Sequence, residues 1–468
     1  MSTTGFSATE SRAIGSLAVL YLVRMLGLFM LLPVMSVYAR DFPQASPFLI
    51  GLALGIYGLA QACLQLPLGM LSDRVGRKPV VIGSQLVFLV GSLVAAFAGT
   101  IWGIILGRAL QGAGAVASTL MALLADVTRE QNRSKAMASV GASIGVSFAL
   151  SLVLGPIVTS WAGLKGLFLT IAVLAAVGLV LAMWVVPYPV ATVRGGSAAP
   201  SRKVLREVIR DPQLLRLDAG VLVLHFILTA SFIAVPRVLA DDLGIPRESH
   251  GVVYGWLLGG SFVAMIPMLV LAERRRKVRG VFLLVVGLIA AAMALLTAWT
   301  AAAAGASLPG GWHPGAVAAF TGLGMYFLAI NYLEAALPSL MSRSTRPENR
   351  GTASGVYSTC QFLGAFMGGA GGGFALQHGG LSAVFGTCAV LASGWLVFAF
   401  GMSGPQYLRS VTVSLLPEGP SAEEMSASLK ALAGVREVLV VGGESLAHLQ
   451  VDGQFDDTHL LDLPVRRV

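Results

Sequence analysis

The chain has 468 residues, of which 56% are hydrophobic and only 12% are charged, and its mean hydropathy is +0.79. A soluble domain could not bury so much apolar surface, so the composition excludes an ordinary soluble protein and predicts one that has the lipid bilayer as its solvent. The net charge of +9 does not indicate nucleic acid as a partner, because the basic residues are spread over short loops between apolar blocks.

Twelve apolar segments of about 20 residues or more follow one another, a length that crosses a hydrocarbon core at about 1.5 Å per helical residue. The residues before the first segment are polar and Arg24 lies inside it, so no cleaved signal peptide is predicted. We predict twelve membrane-spanning helices, numbered as spans 1 to 12, at residues 14–38, 49–70, 80–99, 101–124, 136–161, 164–187, 214–236, 249–271, 281–304, 315–341, 351–377 and 380–402.

These spans form two sets of six, residues 1–187 and 214–403. The connection between the sets, residues 188–213, is polar, basic and rich in Gly, Ser, Ala and Pro, so we expect a flexible cytoplasmic linker. An Asp-Arg pair after span 2 corresponds to a Glu-Arg pair after span 8, which indicates an internal duplication. Six-helix repeats of this kind place a solute site at their interface, opened alternately to each side by rocking.

The Lys and Arg residues of the loops are distributed unevenly. If Met1 is cytoplasmic, the loops on its side hold 21 Lys or Arg residues and those on the opposite side hold only four. Because short basic loops remain in the cytoplasm, we predict a multi-pass protein of the bacterial inner membrane with both termini cytoplasmic.

The last segment, residues 404–468, has a different composition and is predicted to be a small cytoplasmic α+β domain. The order strand, helix, strand, strand fits a ferredoxin-like fold, shortened because few residues remain for a last helix and strand. It has no Cys pair for a soft metal and few aromatic residues for stacking on RNA bases, which leaves contact with a protein or a ligand as its role. The predicted elements are residues 411–415, 422–432, 437–441 and 447–451.

The strongest local motif is GMLSDRVGRK at residues 69–78, between spans 2 and 3. It resembles the signature cytoplasmic loop of the major facilitator superfamily. Gly69 permits close helix contact, Asp73 can face a helix N-terminus, and Arg77 can pair with a carboxylate. The resemblance implies a cluster of Asp73, Arg77 and Asp126 that acts as a gate and locks the outward-facing state. The alternative is that these charges only anchor the loop in the cytoplasm.

Span 4 carries GRALQGAG at residues 107–114, which resembles a superfamily motif whose arginine is associated with proton coupling. An Arg at the centre of a membrane helix costs about 2.5 to 3.5 kcal/mol on insertion scales, so Arg108 is expected to face a cavity or an anionic partner. A purely structural hydrogen bond between helices is the alternative.

Span 5 contains Gly141, Gly145, Gly155 and Pro156, which together resemble the motif of superfamily antiporters. Small residues and a proline there would bend the helix and seal it against span 8. The resemblance favours export over import.

Four ionisable residues lie within spans, Arg24, Arg108, His225 and Glu334, and each is a candidate for proton coupling. Removal from water favours the neutral form of Glu334, as a proton carrier requires; the alternative is a carboxylate paired with an arginine of span 1 or 4. His225 could share the proton or be a neutral hydrogen-bonding core residue.

Two further stretches narrow the resemblance, RMLGLFMLLP at residues 24–33 and VYSTCQFLG at residues 356–364. They are similar to the YajR family of proton-driven drug exporters with an extra cytoplasmic ferredoxin-like domain. We expect Asn331, Tyr357 and Gln361 to line the central cavity.

The leading hypothesis is therefore an all-α major facilitator fold that works as a proton-coupled antiporter and exports amphipathic or drug-like compounds. A symporter of a small organic solute and a membrane sensor that signals to the C-terminal domain are the alternatives. Substrate, protons and membrane lipid are the expected partners. No phosphate loop, metal-ligand cluster or nucleophile beside a histidine is present in the sequence, so we predict no enzyme, no cofactor and no metal.

Overall fold

The structure is a computed structural model of the chain. It divides into two compact units, Met1–Ser403 and Gly404–Val468. The residues that it describes are 8–115, 117–128, 130–186, 202–303, 315–346, 349–404, 409–415, 422–441, 446–451, 455–456 and 465–467.

The first unit is mainly helical in its described residues, with short turns and loops between the helices. Short 3₁₀ or π turns lie at Ala39–Asp41, Leu181–Val185, Val238–Asp242 and Arg247–Ser249. The helices are α1 (Ala8–Phe29), α2 (Met35–Tyr38), α3 (Pro47–Val75), α4 (Arg77–Ala96), α5 (Ile101–Ala113), α6 (Ala117–Asp126), α7 (Glu130–Val180), α8 (Arg202–Arg210), α9 (Pro212–Arg237), α10 (His250–Arg274), α11 (Val278–Ala303), α12 (Ala316–Ser344) and α13 (Arg350–Ala399).

Ten helical segments of the described chain are long and apolar enough to cross a membrane. Two of them, built on α7 and α13, are 51 and 50 residues long, about twice the length that one crossing needs. Gly163 (φ 64°) and Gly380 (φ 70°) interrupt these helices in a backbone conformation that suits glycine. Each long helix therefore has the length for two crossings, and the predicted gaps between spans 5 and 6 and between spans 11 and 12 fall beside these two glycines.

Among the remaining predicted spans, spans 2 and 3 are α3 and α4, and spans 7 to 10 are α9 to α12. Span 1, predicted at residues 14–38, is not a single helix, because α1 ends at Phe29 and the short helix α2 begins at Met35. Span 4 is divided into α5 and α6 by a short non-helical segment that includes Gly114.

One part of the predicted flexible linker is ordered. Arg202–Arg210 forms the helix α8, which corrects the expectation for those residues. Its sequence, RKVLREVIR, repeats basic and apolar residues at helical spacing, and good helix formers outnumber turn residues. Residues 188–201 of the linker lie outside the described residues.

The two halves of the helical bundle, before and after residues 188–213, pack tightly at one end, which we call the closed end. Here α3 and α13 come so close that a Cβ atom on Gly369 would lie 2.5 Å from the Gly51 carbonyl oxygen. Arg40 forms an ion pair across the halves with Asp241 at 3.2 Å. The Phe48 amide N–H donates to Gln377 Oε1 at 3.3 Å.

The opposite end, where α1 and α9 begin, is the open end. Near this end of α3, the apolar side chains of Met70, Leu71 and Val75 are 44–53% exposed. A Cβ atom on Gly141 or Gly145 of α7 would meet nothing within 4 Å. The halves therefore part toward the end of the bundle that carries the N-terminus.

The second unit contains a small antiparallel sheet. The strand order is β2-β3-β1-β4, so β3 lies between β1 and β2, as in a split β-α-β unit. A second helix would fall in residues 457–464, outside the described residues, so the ferredoxin-like fold stays a prediction. The elements are β1 (Arg409–Leu415), α14 (Ala422–Lys430), β2 (Val435–Val441), β3 (Leu446–Val451) and β4 (Val465–Arg467).

Candidate functional site

Three polar side chains from three helices meet inside the second half of the bundle. His225 Nε2 on α9 lies 3.2 Å from Glu334 Oε1 on α12. The same nitrogen lies 2.8 Å from the Gln361 side-chain nitrogen on α13. His225 is 8% exposed, whereas 38% of the Glu334 side chain is accessible. A solute can therefore reach the carboxylate, while the imidazole behind it is enclosed.

The hydrogen bonds of His225 define its tautomer. Its Nδ1 lies 3.1 Å from the Val221 carbonyl oxygen, one turn earlier on α9, so Nδ1 carries the proton and donates it. The neutral ring then has a lone pair on Nε2, which accepts from the Gln361 amide. Glu334 Oε1 faces this same lone pair and has no hydrogen bond of its own. A proton on Glu334 could be donated to Nε2, in competition with Gln361.

The other two predicted cavity residues occupy different positions. Tyr357 lies one turn before Gln361 on α13 and is 7% exposed. Asn331 lies one turn before Glu334, but its amide donates to Ser261 Oγ of α10 at 2.6 Å and so points away from the His225 pair. Among the described residues, no group of three or more His, Cys, Asp or Glu side chains could hold a metal ion.

Arg24 is buried between spans 1, 3 and 4. It donates to Gln85 Oε1 at 2.7 Å and to the carbonyl oxygen of Gly114. Its guanidinium also stacks over the Phe88 ring, 4.6 Å from the ring centroid. Because Gly114 lies at the break between α5 and α6, Arg24 satisfies a carbonyl that the interrupted helix leaves without a partner.

Arg108 has a similar environment on α5. It donates to Gln111 Oε1 at 2.7 Å and to the Ala53 carbonyl oxygen at 3.3 Å, and it lies over the Tyr57 ring at 4.9 Å. Gln111 in turn donates to Ser92 Oγ at 2.9 Å. The cation is therefore held by uncharged acceptors and by an aromatic face.

The expected alternative of an ion pair between Glu334 and Arg24 or Arg108 is wrong for this conformation. Both arginines lie in the first half of the bundle, with uncharged partners, and Glu334 faces His225 instead. Nothing in the sequence signals the partner, because His225 and Glu334 lie on helices that are not neighbours in the chain.

The gate residues come together as a cluster at the open end. Arg77 forms ion pairs with Asp73 and, at 3.2 Å, with Asp126 of α6, and it donates to Ser72 Oγ at 2.7 Å. Gly69 accepts a hydrogen bond from Ser72, and a Cβ atom on Gly69 would lie 3.5 Å from Ser118 Oγ. All of these residues belong to the first half, so the cluster does not bridge the two halves.

The second half has a counterpart that the sequence analysis missed. Arg343 at the end of α12 donates to Glu273 at the end of α10 at 2.8 Å. Glu273 occupies the position of Asp73 in the first half and keeps its negative charge, whereas Arg343 stands at the position of Asp126 with the opposite charge. The duplicated acidic-basic pair after span 8 was the available signal.

The glycines of span 5 do not all lie in a packed interface. A Cβ atom on Gly155 would lie 2.5 Å from the Met30 carbonyl oxygen, so this part of α7 packs against the end of span 1. Pro156 lies within the same turn. The expected seal against span 8 occurs near Gly251, where a Cβ atom would lie 2.8 Å from the Val153 carbonyl oxygen; Gly141 and Gly145 face open space, which corrects the prediction for them.

Comparison with known proteins agrees with this architecture. Residues 17–369 match the sequence profile of the Major Facilitator Superfamily. The chain is 41% identical over 458 residues to the inner membrane transport protein YajR of Escherichia coli K12, covering 98% of each chain. It is 33% identical over 148 residues to the class B tetracycline resistance protein of Escherichia coli, covering 31% of this chain and 36% of that protein.

A solved structure with the same fold is that of a bacterial homologue of the human lysosomal transporter Spinster, in an inward-facing and occupied conformation. Its TM-score is 0.65 at 15% identity, and the match covers 85% of this chain and 97% of that one. The profile and the homologue that spans almost the whole chain lead to one assignment. The chain belongs to the Major Facilitator Superfamily of membrane transporters.

Proposed function

We propose that this protein is a proton-coupled antiporter that exports small amphipathic or drug-like compounds across the bacterial inner membrane. The observation that carries the proposal is the contact of Glu334 with His225 at 3.2 Å, inside a helical half that can rock against the other. We further propose twelve crossings, both termini in the cytoplasm, and a ferredoxin-like C-terminal domain that contacts a protein or a ligand.

The proton step follows from the tautomer of His225. With Nδ1 donating to Val221, Nε2 can accept from protonated Glu334 or from Gln361, but not fully from both. Protonation of Glu334 removes its negative charge and with it the attraction for a cationic or polar solute group. Proton and solute thus compete for one carboxylate, and that competition is the coupling that an antiporter requires.

The conformation fits the end of the export cycle at which substrate enters. With the N-terminus in the cytoplasm, the open end faces the cytoplasm and Glu334 is accessible to a cytoplasmic solute. Return to the outward-facing state requires the open end to close, which would bring the Asp73-Arg77-Asp126 cluster and its counterpart at Glu273 toward the opposite half.

Export of drug-like compounds is supported by two features. The described spans carry few charged side chains, so a cavity between them suits an amphipathic solute better than a sugar. A tetracycline resistance protein is among the proteins that share sequence with this chain.

The test is proton flux in liposomes that enclose a pH-sensitive dye and contain the purified protein. A proton gradient is imposed, and tetracycline and a panel of cationic dyes are added in turn. We expect substrate-dependent proton flux for the wild type, and for Glu334→Gln a flux equal to that of protein-free liposomes. The matched control is Glu248→Gln, an exposed carboxylate in the 3₁₀ turn Arg247–Ser249, which should behave like the wild type.

The direction of coupling decides between the hypotheses. Proton entry that drives solute exit supports antiport, whereas protons and solute moving the same way would replace it with symport. Coupled flux that survives in Glu334→Gln would assign the proton to another group. Absence of any solute-dependent flux, with signalling to the C-terminal domain retained, would favour the sensor.

A further inference from the structure

A chain of aromatic rings crosses from the first half of the bundle to the second. The Phe29 ring of α1 lies edge-on against the Phe148 ring of α7, with 5.2 Å between the ring centroids. Phe148 in turn lies 6.4 Å from the Phe232 ring of α9, which belongs to the other half. Phe232 continues the chain to the Phe327 ring of α12, again at 6.4 Å. These separations and steeply inclined planes are those of attractive ring pairs, so the rings form one connected cluster between the halves.

The ring cluster lies deeper in the bundle than the contact of His225 with Glu334. Phe232 follows His225 by seven residues on α9, and Phe327 precedes Glu334 by seven residues on α12. Seven residues are about two helical turns, so each ring lies on the helix face that carries the polar side chain, about 10 Å further along the axis. Since α9 begins at the open end and α12 ends there, both displacements lead toward the closed end. The cluster therefore lies at the inner end of the space that opens past Glu334.

The rings of the cluster differ in exposure. Phe232 is 1% exposed and Phe327 is 0% exposed, so neither can contact a solute. Phe29 and Phe148 are partly exposed. Both lie where the first half faces the second, and the halves part only toward the open end, so their accessible surface faces the same space as the Glu334 carboxylate. The two buried rings support Phe148 from behind and fix its orientation.

Two accessible rings and an accessible carboxylate are complementary to one kind of solute. A ring that packs edge-on or offset against another ring gains more than its apolar area alone provides. A carboxylate that is partly removed from bulk water attracts a cation. Ligand pockets commonly combine an apolar, aromatic wall with a few polar groups that fix the orientation of the ligand. The spacing of about 10 Å along the helix axes suits a solute with an aromatic ring at one end and a cationic group at the other.

We propose that Phe29 and Phe148 form an aromatic subsite that binds a ring of the transported solute while Glu334 binds its cationic group. The inference rests on the proposed function, because it takes Glu334 as the group at which solute and proton compete. It adds that the protein selects aromatic cations over aliphatic cations of similar size. Because Phe148 and Phe232 belong to opposite halves, opening of the closed end separates them and removes the support behind the subsite.

The test is equilibrium binding of two matched cations to the purified full-length protein in detergent, measured by dialysis at mildly alkaline pH. Each probe is a trimethylammonium ion on a butyl chain that ends in a phenyl ring in one compound and in a cyclohexyl ring in the other. Since the cyclohexyl compound is the more apolar, a preference for the phenyl compound reports a ring contact and not general hydrophobicity. We expect the wild type to bind the phenyl compound about tenfold more tightly, and Phe148→Leu to bind both compounds equally.

Three further variants separate ring recognition from a structural effect. Phe148→Tyr, which keeps the ring, should retain the preference, and so should Phe374→Leu, which removes a ring that is 56% exposed and lies beside His378. Glu334→Gln should weaken the binding of both cations to the same extent. No binding of the phenyl compound to the wild type, or a preference that survives in both Phe148→Leu and Phe29→Leu, would overturn the inference. A preference that is lost in Phe148→Leu while Glu334→Gln binds like the wild type would keep the aromatic subsite and contradict the proposed function of Glu334.

Discussion

At the scale of single residues, the two buried arginines are held by uncharged hydrogen-bond acceptors. Arg24 is 2% exposed, and its partners are an amide and a main-chain carbonyl at the break of span 4. If the Arg24 guanidinium is removed, the Gln85 side-chain oxygen and the Gly114 carbonyl oxygen each lose a hydrogen-bond donor. Arg24 therefore contributes first to the stability of the first half, because it joins spans 1, 3 and 4.

We predict that Arg24→Gln lowers the thermal stability of the purified protein. The loss of two hydrogen bonds leaves buried acceptors at Gln85 and Gly114, each at a cost of about 1 to 3 kcal/mol. The melting temperature in detergent measures this, with Arg12→Gln, an exposed residue of α1, as the control. If melting were unchanged while proton-coupled transport was lost, the proton-coupling role expected from the sequence would be correct for Arg24.

The individual residues of the candidate site could be predicted from the sequence, but the contacts between them could not. His225 and Glu334 are identifiable because ionisable residues are costly in apolar spans. Their contact depends on how α9 packs against α12 and α13. From the sequence alone, an ion pair of Glu334 with an arginine would have stabilised the buried carboxylate equally well.

At the scale of helices, span 5 has a different relation to span 8 at each end. Near Gly251 the two helices touch, whereas Gly141 and Gly145, nearer the open end, face open space. Small residues that are unpacked in one state are suited to a close approach in the other. We therefore expect Gly141 and Gly145 to pack against the opposite half in the conformation in which the open end is closed.

We predict that Gly145→Val traps the protein with its open end open. The added side chain meets nothing within 4 Å in the present state, but it would overpack a closed interface by about 1 to 3 kcal/mol. Spin labels on Met137 of α7 and Leu271 of α10 would report the width of this end. Gly394→Val, which also meets no atom within 4 Å, is the control. A normal population of the narrow state in Gly145→Val would contradict the prediction.

Helix positions could be predicted far better than helix interruptions. A run of 20 apolar residues is a direct consequence of bilayer thickness, so the spans can be located from the sequence alone. The break of span 4 and the helix α8 depend on other forces. The break leaves the Gly114 carbonyl free to accept a hydrogen bond from Arg24, which is distant in the sequence, and α8 lies in a segment whose Gly, Ser and Pro content is concentrated before residue 202.

At the scale of the whole molecule, two kinds of contact hold the closed end together. The ion pair of Arg40 and Asp241 is partly exposed, with 33% and 44% of the side chains accessible, and such pairs contribute about 0 to 1 kcal/mol. The glycine contacts between α3 and α13 bring two backbones together and exclude any larger side chain. Helix packing therefore dominates the stability of the closed end, and the ion pair is secondary.

We predict that Gly369→Val favours the state in which the open end is closed, the opposite of the effect expected for Gly145→Val. In Gly369→Val, the new Cβ atom would lie 2.5 Å from the Gly51 carbonyl oxygen and 2.7 Å from the Gly55 nitrogen. Because these are backbone atoms, the helices must separate, at a cost of about 1 to 3 kcal/mol. Since 1.4 kcal/mol changes a ratio of states by about tenfold, the population should shift clearly toward closure at the opposite end.

The same pair of spin labels on Met137 and Leu271 measures that shift, as a shorter distance than in the wild type. Arg40→Ala, which removes only the ion pair, should change the distance distribution little, and this difference tests the ranking of the two contacts. The reverse result, a large shift for Arg40→Ala and none for Gly369→Val, would mean that charge rather than helix packing closes this end. Gly145→Val and Gly369→Val each add a side chain at one of the two ends that open and close in the rocking motion. The double variant should therefore have a lower thermal stability in both states, and it should not regain the wild-type distribution of states.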